Sequence, residues 1–158
     1  MPRFVIIAPL TPLAVGDGFT LREWPLHLTV APTFVITNGL PAVVSAVAPI
    51  LLPQPGLRVC VGPEEAFGHA RNVPVSTITA TRELSELHVA LVTALLAVGA
   101  HFDDPDFIGD AYRPHITLKG AAALRPGAGV TLLQAAVVDM APEGERRVRT
   151  VVWTTGLT

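Results

Sequence analysis

The chain has 158 residues, half of them hydrophobic and 15% charged, with a formal net charge of −2 at pH 7. That length and apolar content suit one domain, residues 1–158, with a real core, and argue against a disordered chain. Eleven Lys and Arg against 13 Asp and Glu argue against a partner such as duplex DNA held on a broad basic surface; a small anion or a nucleic-acid end needs only a few local charges.

The single cysteine, Cys60, can form neither an internal disulfide nor a cysteine metal cage. Within the apolar run Leu57–Val61 it is expected to be a small buried hydrophobe in a reducing compartment. Phe4–Val15 faintly resembles a signal-peptide core, but Pro9 and Pro12 break it and only Arg3 precedes it, so no cleaved leader is expected there. Leu40–Pro53 is too short to span a bilayer and carries Pro41, Pro49 and Pro53, so no membrane partner is expected and the predicted location is cytoplasmic.

In chain order, Phe4–Leu10 reads as a buried strand ended by proline, and Thr11–Pro25, with Pro12, Gly16, Asp17 and Gly18, as a loop. His27–Ala31 is a strand stopped by Pro32. Asn38 suits a helix N-cap, and Leu40–Leu52 a helix bent or shortened at Pro49. Leu57–Val61 and Val73–Thr79 predict a hairpin whose long tip, Gly62–Asn72, carries Glu64, Glu65, His69 and Arg71. Thr81 can cap the clearest helix, where Leu84, Leu87, Leu91, Leu95, Val98 and Phe102 form an apolar stripe and Gly99 suits the C-terminal end. An Asp-rich loop leads into a strand at Tyr112–Lys119. Val130–Met140 and Arg147–Thr155 then read as strands joined at Pro142-Glu143-Gly144. Clustered strands with two helices predict an α+β fold built on antiparallel sheet.

Two stretches carry the chemistry: His27-Leu28-Thr29-Val30 and His115-Ile116-Thr117-Leu118, with their histidines 88 positions apart. In a strand each sends His and Thr to one face and the apolar pair to the other. Thr fills 15 of 158 positions and His five; chance yields two such triplets with apolar residues at the same places in roughly 0.5% of chains. Two imidazoles and two hydroxyls facing one cleft could hold a phosphate between a base and an acid.

These paired motifs resemble the signature of the two-histidine (2H) phosphoesterase superfamily, of the RNA 2′,5′-ligase-like, 2′,3′-cyclic phosphodiesterase type. The resemblance extends in element order over most of the chain. It implies a bilobal fold: two pseudo-symmetric antiparallel-sheet lobes with outer helices and a central cleft, lobe one spanning about residues 1–80 and lobe two about 81–158, with strands free to exchange between lobes. It also implies a metal-independent, cofactor-free phosphodiesterase acting on a nucleotide or RNA terminus that carries a 2′,3′-cyclic phosphate. In that scheme His115 is the base toward water, His27 the acid toward the ribose oxygen, and Thr29 and Thr117 hold phosphoryl oxygens. Many relatives carry a basic residue soon after the first motif, where this chain has Ala31-Pro32-Thr33, a departure that weighs against a long RNA more than against the chemistry. The alternatives are another small cyclic phosphate, such as an ADP-ribose derivative, or a protein that binds nucleotides or RNA ends without turnover.

Substrate-binding candidates lie beside the motifs. Arg113 and Lys119 share strand parity with His115 and Thr117, and either could neutralise phosphate or sit at a solvated strand end. Phe34 and Tyr112 could stack on a base, with core packing an equal reading for Phe34. His88 reads as a helix-surface residue and His69 as a loop residue at most on the rim. Asp103, Asp104, Asp106 and Asp110 lack the glycine and closing glutamate of a Ca²⁺ loop and read as solvated. Arg146, Arg147 and Arg149 read as a charged strand start.

Overall fold

The computed structural model describes residues 1–158. Its order is β1 (Arg3–Pro9), β2 (Gly18–Thr20), β3 (His27–Val35), α1 (Gly39–Leu51), β4 (Leu57–Phe67), β5 (Val73–Ile78), α2 (Arg82–Ala97), β6 (His101–Phe102), β7 (His115–Thr117), β8 (Gly129–Leu132), β9 (Gln134–Asp139) and β10 (Val148–Gly156). The strands form one antiparallel sheet, curled into a half-barrel and ordered β2-β10-β9-β1-β3-β7-β5-β4-β8, with β6 alongside β3. The fold is thus α+β, and the sheet interleaves the two halves of the sequence: β9 lies between β1 and β10, and β7 and β8 flank the β4–β5 hairpin.

Strand alternation explains why β1 is apolar along its whole length. Phe4, Ile6 and Ala8 enter a large core on one face of the sheet, while Val5 and Ile7 enter a smaller core on the other. In β9, Ala135 and Val137 join the first core and Ala136 and Val138 the second. A strand covered on both faces loses its polar positions. Helices cover only the first face, through Val43, Val47 and Leu51 of α1 and Leu84, Leu87, Leu91 and Leu95 of α2. On the second face Leu13 and Trp24, from the segment after β1, pack beside Val151, with Phe19 and Met140 against them.

Several boundaries differ from the sequence-based expectation. Pro32 does not stop β3, because a bulge against β1, where Phe4 pairs with Phe34 and Ile6 with Ala31, absorbs it. Pro49 lies within α1, which runs on to Leu51. Asn38 occupies the N-cap but makes no side-chain capping bond, whereas the Thr81 hydroxyl accepts from the Leu84 N–H at 3.2 Å. Gly99 follows α2 with φ +92°, in the left-handed region that suits a helix end. Phe102, expected on the stripe of α2, instead lies in β6 opposite Phe34. The β4–β5 tip is shorter than expected because β4 continues to Phe67. Gly62 makes this possible: a Cβ there would stand 2.6 Å from the Thr77 hydroxyl.

The run Val130–Met140 is two strands in different parts of the sheet, with β8 on β4 and β9 on β1 and β10. Periodicity cannot register that break, since both pieces are apolar. Cys60 is exposed rather than buried, because the alternation of β4 buries Leu57, Val59 and Val61 and turns Arg58 and Cys60 outward. No helix is long and apolar enough to cross a membrane.

Candidate active site

The two motif strands are hydrogen-bonded neighbours rather than opposite walls. β3 and β7 pair antiparallel with Leu28 opposite Ile116. That register sets His27 across from Thr117 and Thr29 across from His115, so the four polar side chains form a quartet on one face. Strand geometry places the histidines on a diagonal of about 7–8 Å. Leu28, Val30, Ile116 and Leu118 are buried, with Leu28 and Ile116 in the helix-covered core. The same alternation that buries them holds the quartet half-exposed.

Both imidazoles are pinned alike. Nδ1 of His27 lies 2.8 Å from the Pro25 carbonyl, and Nδ1 of His115 lies 2.7 Å from the Arg113 carbonyl. A carbonyl only accepts, so each Nδ1 carries the hydrogen and each Nε2 keeps a lone pair free for proton transfer. An aromatic ring backs each histidine: Trp24 stacks on His27 with centroids 4.3 Å apart, and Phe67 tilts against His115 at 4.6 Å.

A cation lies over each aromatic ring in turn. The Lys119 ammonium is 5.2 Å from the Trp24 centroid and donates to the Leu21 carbonyl at 2.8 Å. The Arg149 guanidinium lies 5.7 Å from the same ring. Arg113 lies 4.7 Å over Phe67 and pairs with Glu65 at 3.1 Å.

Burial, reinforced by the charges of Lys119 and His115, pushes His27 down to about 4 against the opposing Pro25 hydrogen bond. His115 is also lowered, chiefly by burial and then by Arg113. The resting site therefore holds its imidazoles neutral at neutral pH. Burial, with Arg149 second, lowers Lys119 as well.

A cleft of about 830 Å³ opens beside the quartet at its His115–Thr29 end. Phe67, His69, Arg71, Asp104, Phe107, Tyr112 and Arg113 are among its lining residues. Of the sequence candidates, Arg113 and Tyr112 therefore join His115 and Thr29 in the cleft wall. Lys119 lies just past the strand end: β7 ends at Thr117, the chain turns with φ +46° at Lys119, and the ammonium goes to Trp24, which puts its charge at the His27 end of the quartet.

Phe34 does not belong to the site. It is fully buried on the Leu28 side of the sheet between Phe4 and Phe102, at 6.1 and 5.6 Å. His88 is likewise not on the helix surface but 0% exposed in the core. His69 and two of the aspartates, Asp104 and Asp106, reach the cleft, while Asp103 pairs with Arg3. Arg147 pairs with Glu145 at 3.1 Å. No three His, Cys, Asp or Glu side chains gather where they could hold a metal ion.

Trp24 and Phe67 were not legible as site residues. Trp24 lies in an irregular segment with no period, and Phe67 lies 48 positions from His115 in the chain.

The sequence matches the family described as the 2′-5′ RNA ligase superfamily over residues 7–151. The chain belongs to that superfamily, the 2H phosphoesterases. Solved structures share its fold. A protein described as a phosphoesterase aligns with TM-score 0.66 at 18% identity, over 99% of this chain and 98% of its own. Escherichia coli LigT complexed with 3′-AMP aligns with TM-score 0.65 at 18% identity, over 100% and 99%. A protein of Thermus thermophilus aligns with TM-score 0.61 at 18% identity, over 98% and 97%. No curated protein matches the sequence.

Proposed function

We propose that this 2H phosphoesterase hydrolyses a 2′,3′-cyclic phosphate on a nucleotide or RNA end, with His27 and His115 as the acid–base pair. The observation that carries this reading is the quartet itself: two imidazoles with Nδ1 fixed and Nε2 free, each across from a threonine hydroxyl, on one open face. One Nε2 takes a proton from water as the water oxygen bonds to phosphorus. The other histidine, protonated, gives its proton to the ribose oxygen as the phosphorus–oxygen bond breaks. Thr29 and Thr117 hydrogen-bond the phosphoryl oxygens, and Arg113 and Lys119 supply positive charge at opposite ends of the quartet. Tyr112 and the cleft take the nucleoside. The two halves of the sheet that meet at Leu28 and Ile116 are the two lobes of a pseudo-twofold arrangement.

Nucleotides support this substrate class by analogy, since Escherichia coli LigT has been crystallised with 3′-AMP, ATP and NADP+. Family resemblance makes His115 the base and His27 the acid. The burial of His27, helped by the charges of Lys119 and His115, favours the reverse, because His27 is the histidine pushed down to about 4 and so the one more firmly proton-free. An aryl phosphodiester, whose leaving group needs no proton, separates the two: the variant lacking the acid recovers activity on it and the variant lacking the base does not.

The test of function is turnover of the four nucleoside 2′,3′-cyclic monophosphates and of an oligonucleotide ending in a cyclic phosphate, read as release of a phosphomonoester. Binding without turnover of any of them would replace this reading with the nucleotide-binding one. Two free Nε2 atoms on one face speak against that outcome, because binding alone needs no pair of titratable groups.

A further inference from the structure

The acid–base scheme leaves one fully buried titratable side chain unused. His88 projects from α2 into the core beside Leu84, Leu87 and Leu91. Burying an imidazole there requires partners for both ring nitrogens, and both are present. Nδ1 lies 2.9 Å from the Val30 carbonyl, and Nε2 accepts the Gly109 N–H at 2.9 Å. A carbonyl can only accept and an amide can only donate, so the ring is neutral with its hydrogen on Nδ1.

The flat face of the same ring lies on Tyr112, with centroids 3.8 Å apart and planes 6° from parallel. The Tyr112 hydroxyl donates to the Thr29 carbonyl at 2.6 Å. Two consecutive carbonyls of the first motif strand are thus taken by Tyr112 and His88. They lie next to Leu28, the one position where β3 is paired with β7. The segment that His88 and Tyr112 hold there supplies Asp104, Asp106, Phe107, Tyr112 and Arg113 to the cleft wall.

We infer that His88 is a positioning residue for ligand binding: from the core it locks Gly109 and the Tyr112 ring onto the Thr29–Val30 segment, so that the cleft wall is set before a ligand arrives. It touches no ligand itself. The inference rests on the proposed reading in one respect, that the cleft takes the nucleoside part of a nucleotide whose phosphate meets the quartet.

Calorimetric titration with 3′-AMP and with inorganic phosphate tests it on the full chain and its variants. His88→Leu leaves the Gly109 N–H and the Val30 carbonyl unpartnered, and is expected to weaken 3′-AMP about tenfold while leaving phosphate binding unchanged. His88→Gln, with one donor and one acceptor, is expected to recover part of the loss. Unchanged 3′-AMP affinity in folded His88→Leu overturns the inference. So does an equal loss of both ligands, which marks general damage to the fold. Should His88→Leu fail to fold, His88→Gln carries the test. Weaker 3′-AMP binding there with phosphate binding unchanged supports the inference, and unchanged 3′-AMP binding overturns it. A wild type that binds inorganic phosphate but not 3′-AMP sinks the proposed substrate class together with this inference, whereas normal wild-type binding with an unaffected His88→Leu sinks the inference alone.

Discussion

Burying His27 against Trp24 ties the stability of the fold to pH. In the folded chain His27 is pushed down to about 4 from the ordinary 6.5, so between those values the unfolded chain binds a proton that the folded chain refuses. Stability therefore rises with pH across this window. The contribution is fully present above 6.5 and is lost as pH falls toward 4. Relative to pH 7, the linkage takes away about 2 kcal/mol at pH 5 and about 3 kcal/mol at pH 4. His27→Gln is neutral at every pH and lacks this term. Urea unfolding of wild type and His27→Gln at pH 7 and pH 5 isolates it, since His88 and His115 titrate in both proteins. The wild type should lose about 2 kcal/mol more than the variant between the two values. Equal losses would show that His27 is not held proton-free by its surroundings, and the burial argument for its role as base would go with it.

His27→Ala and His115→Ala should each lower turnover of a cyclic phosphate by about 10² or more with the circular dichroism spectrum retained; full activity in either would refute the acid–base pair. Because both histidines are lowered by burial, the bell-shaped pH profile of kcat/KM should peak below 6.5, and a maximum near the reference value of a lysine or tyrosine would contradict it. Turnover should survive EDTA and dialysis, since the scheme asks only for imidazoles; activity lost and restored only by a divalent ion would overturn it. Ile116→Ala should cost about 2–5 kcal/mol in urea unfolding, because Ile116 is fully buried behind the quartet; a loss under about 1 kcal/mol would mean that the core behind the motif strands is loosely packed.

Period and spacing made much of this protein readable from its residues. The His-x-Thr repeats sorted imidazoles and hydroxyls from Leu28, Val30, Ile116 and Leu118, because alternation is a property of a strand wherever it lies. Thr81 and the Leu84–Leu95 stripe located α2 for the same local reason. Cys60 is a lesson in applying that rule too loosely: its neighbours are apolar, yet its parity in β4 is that of Arg58.

Local pattern could not say which elements are neighbours, and there the tertiary structure decided. The motifs carry no information on whether β3 and β7 face one another or pair, and pairing is what makes a single quartet of them. Phe34 and Tyr112 both stand within a few positions of the motifs in the chain, but Phe34 lies in the helix-covered core while Tyr112 lines the cleft. His88 reads as a surface position on a helix until the Val30 carbonyl and the Gly109 amide arrive from 58 and 21 positions away. Trp24 backs His27 from an irregular segment with no period to read, and Phe67 backs His115 from the last position of β4, in a stretch whose residues read as a hairpin tip. The residues by themselves determined which side chains share a face of each strand, because a strand's geometry is local. Only the tertiary structure determined which faces meet and what proton each imidazole keeps, because contact, burial and the field of distant charges depend on the whole packed chain.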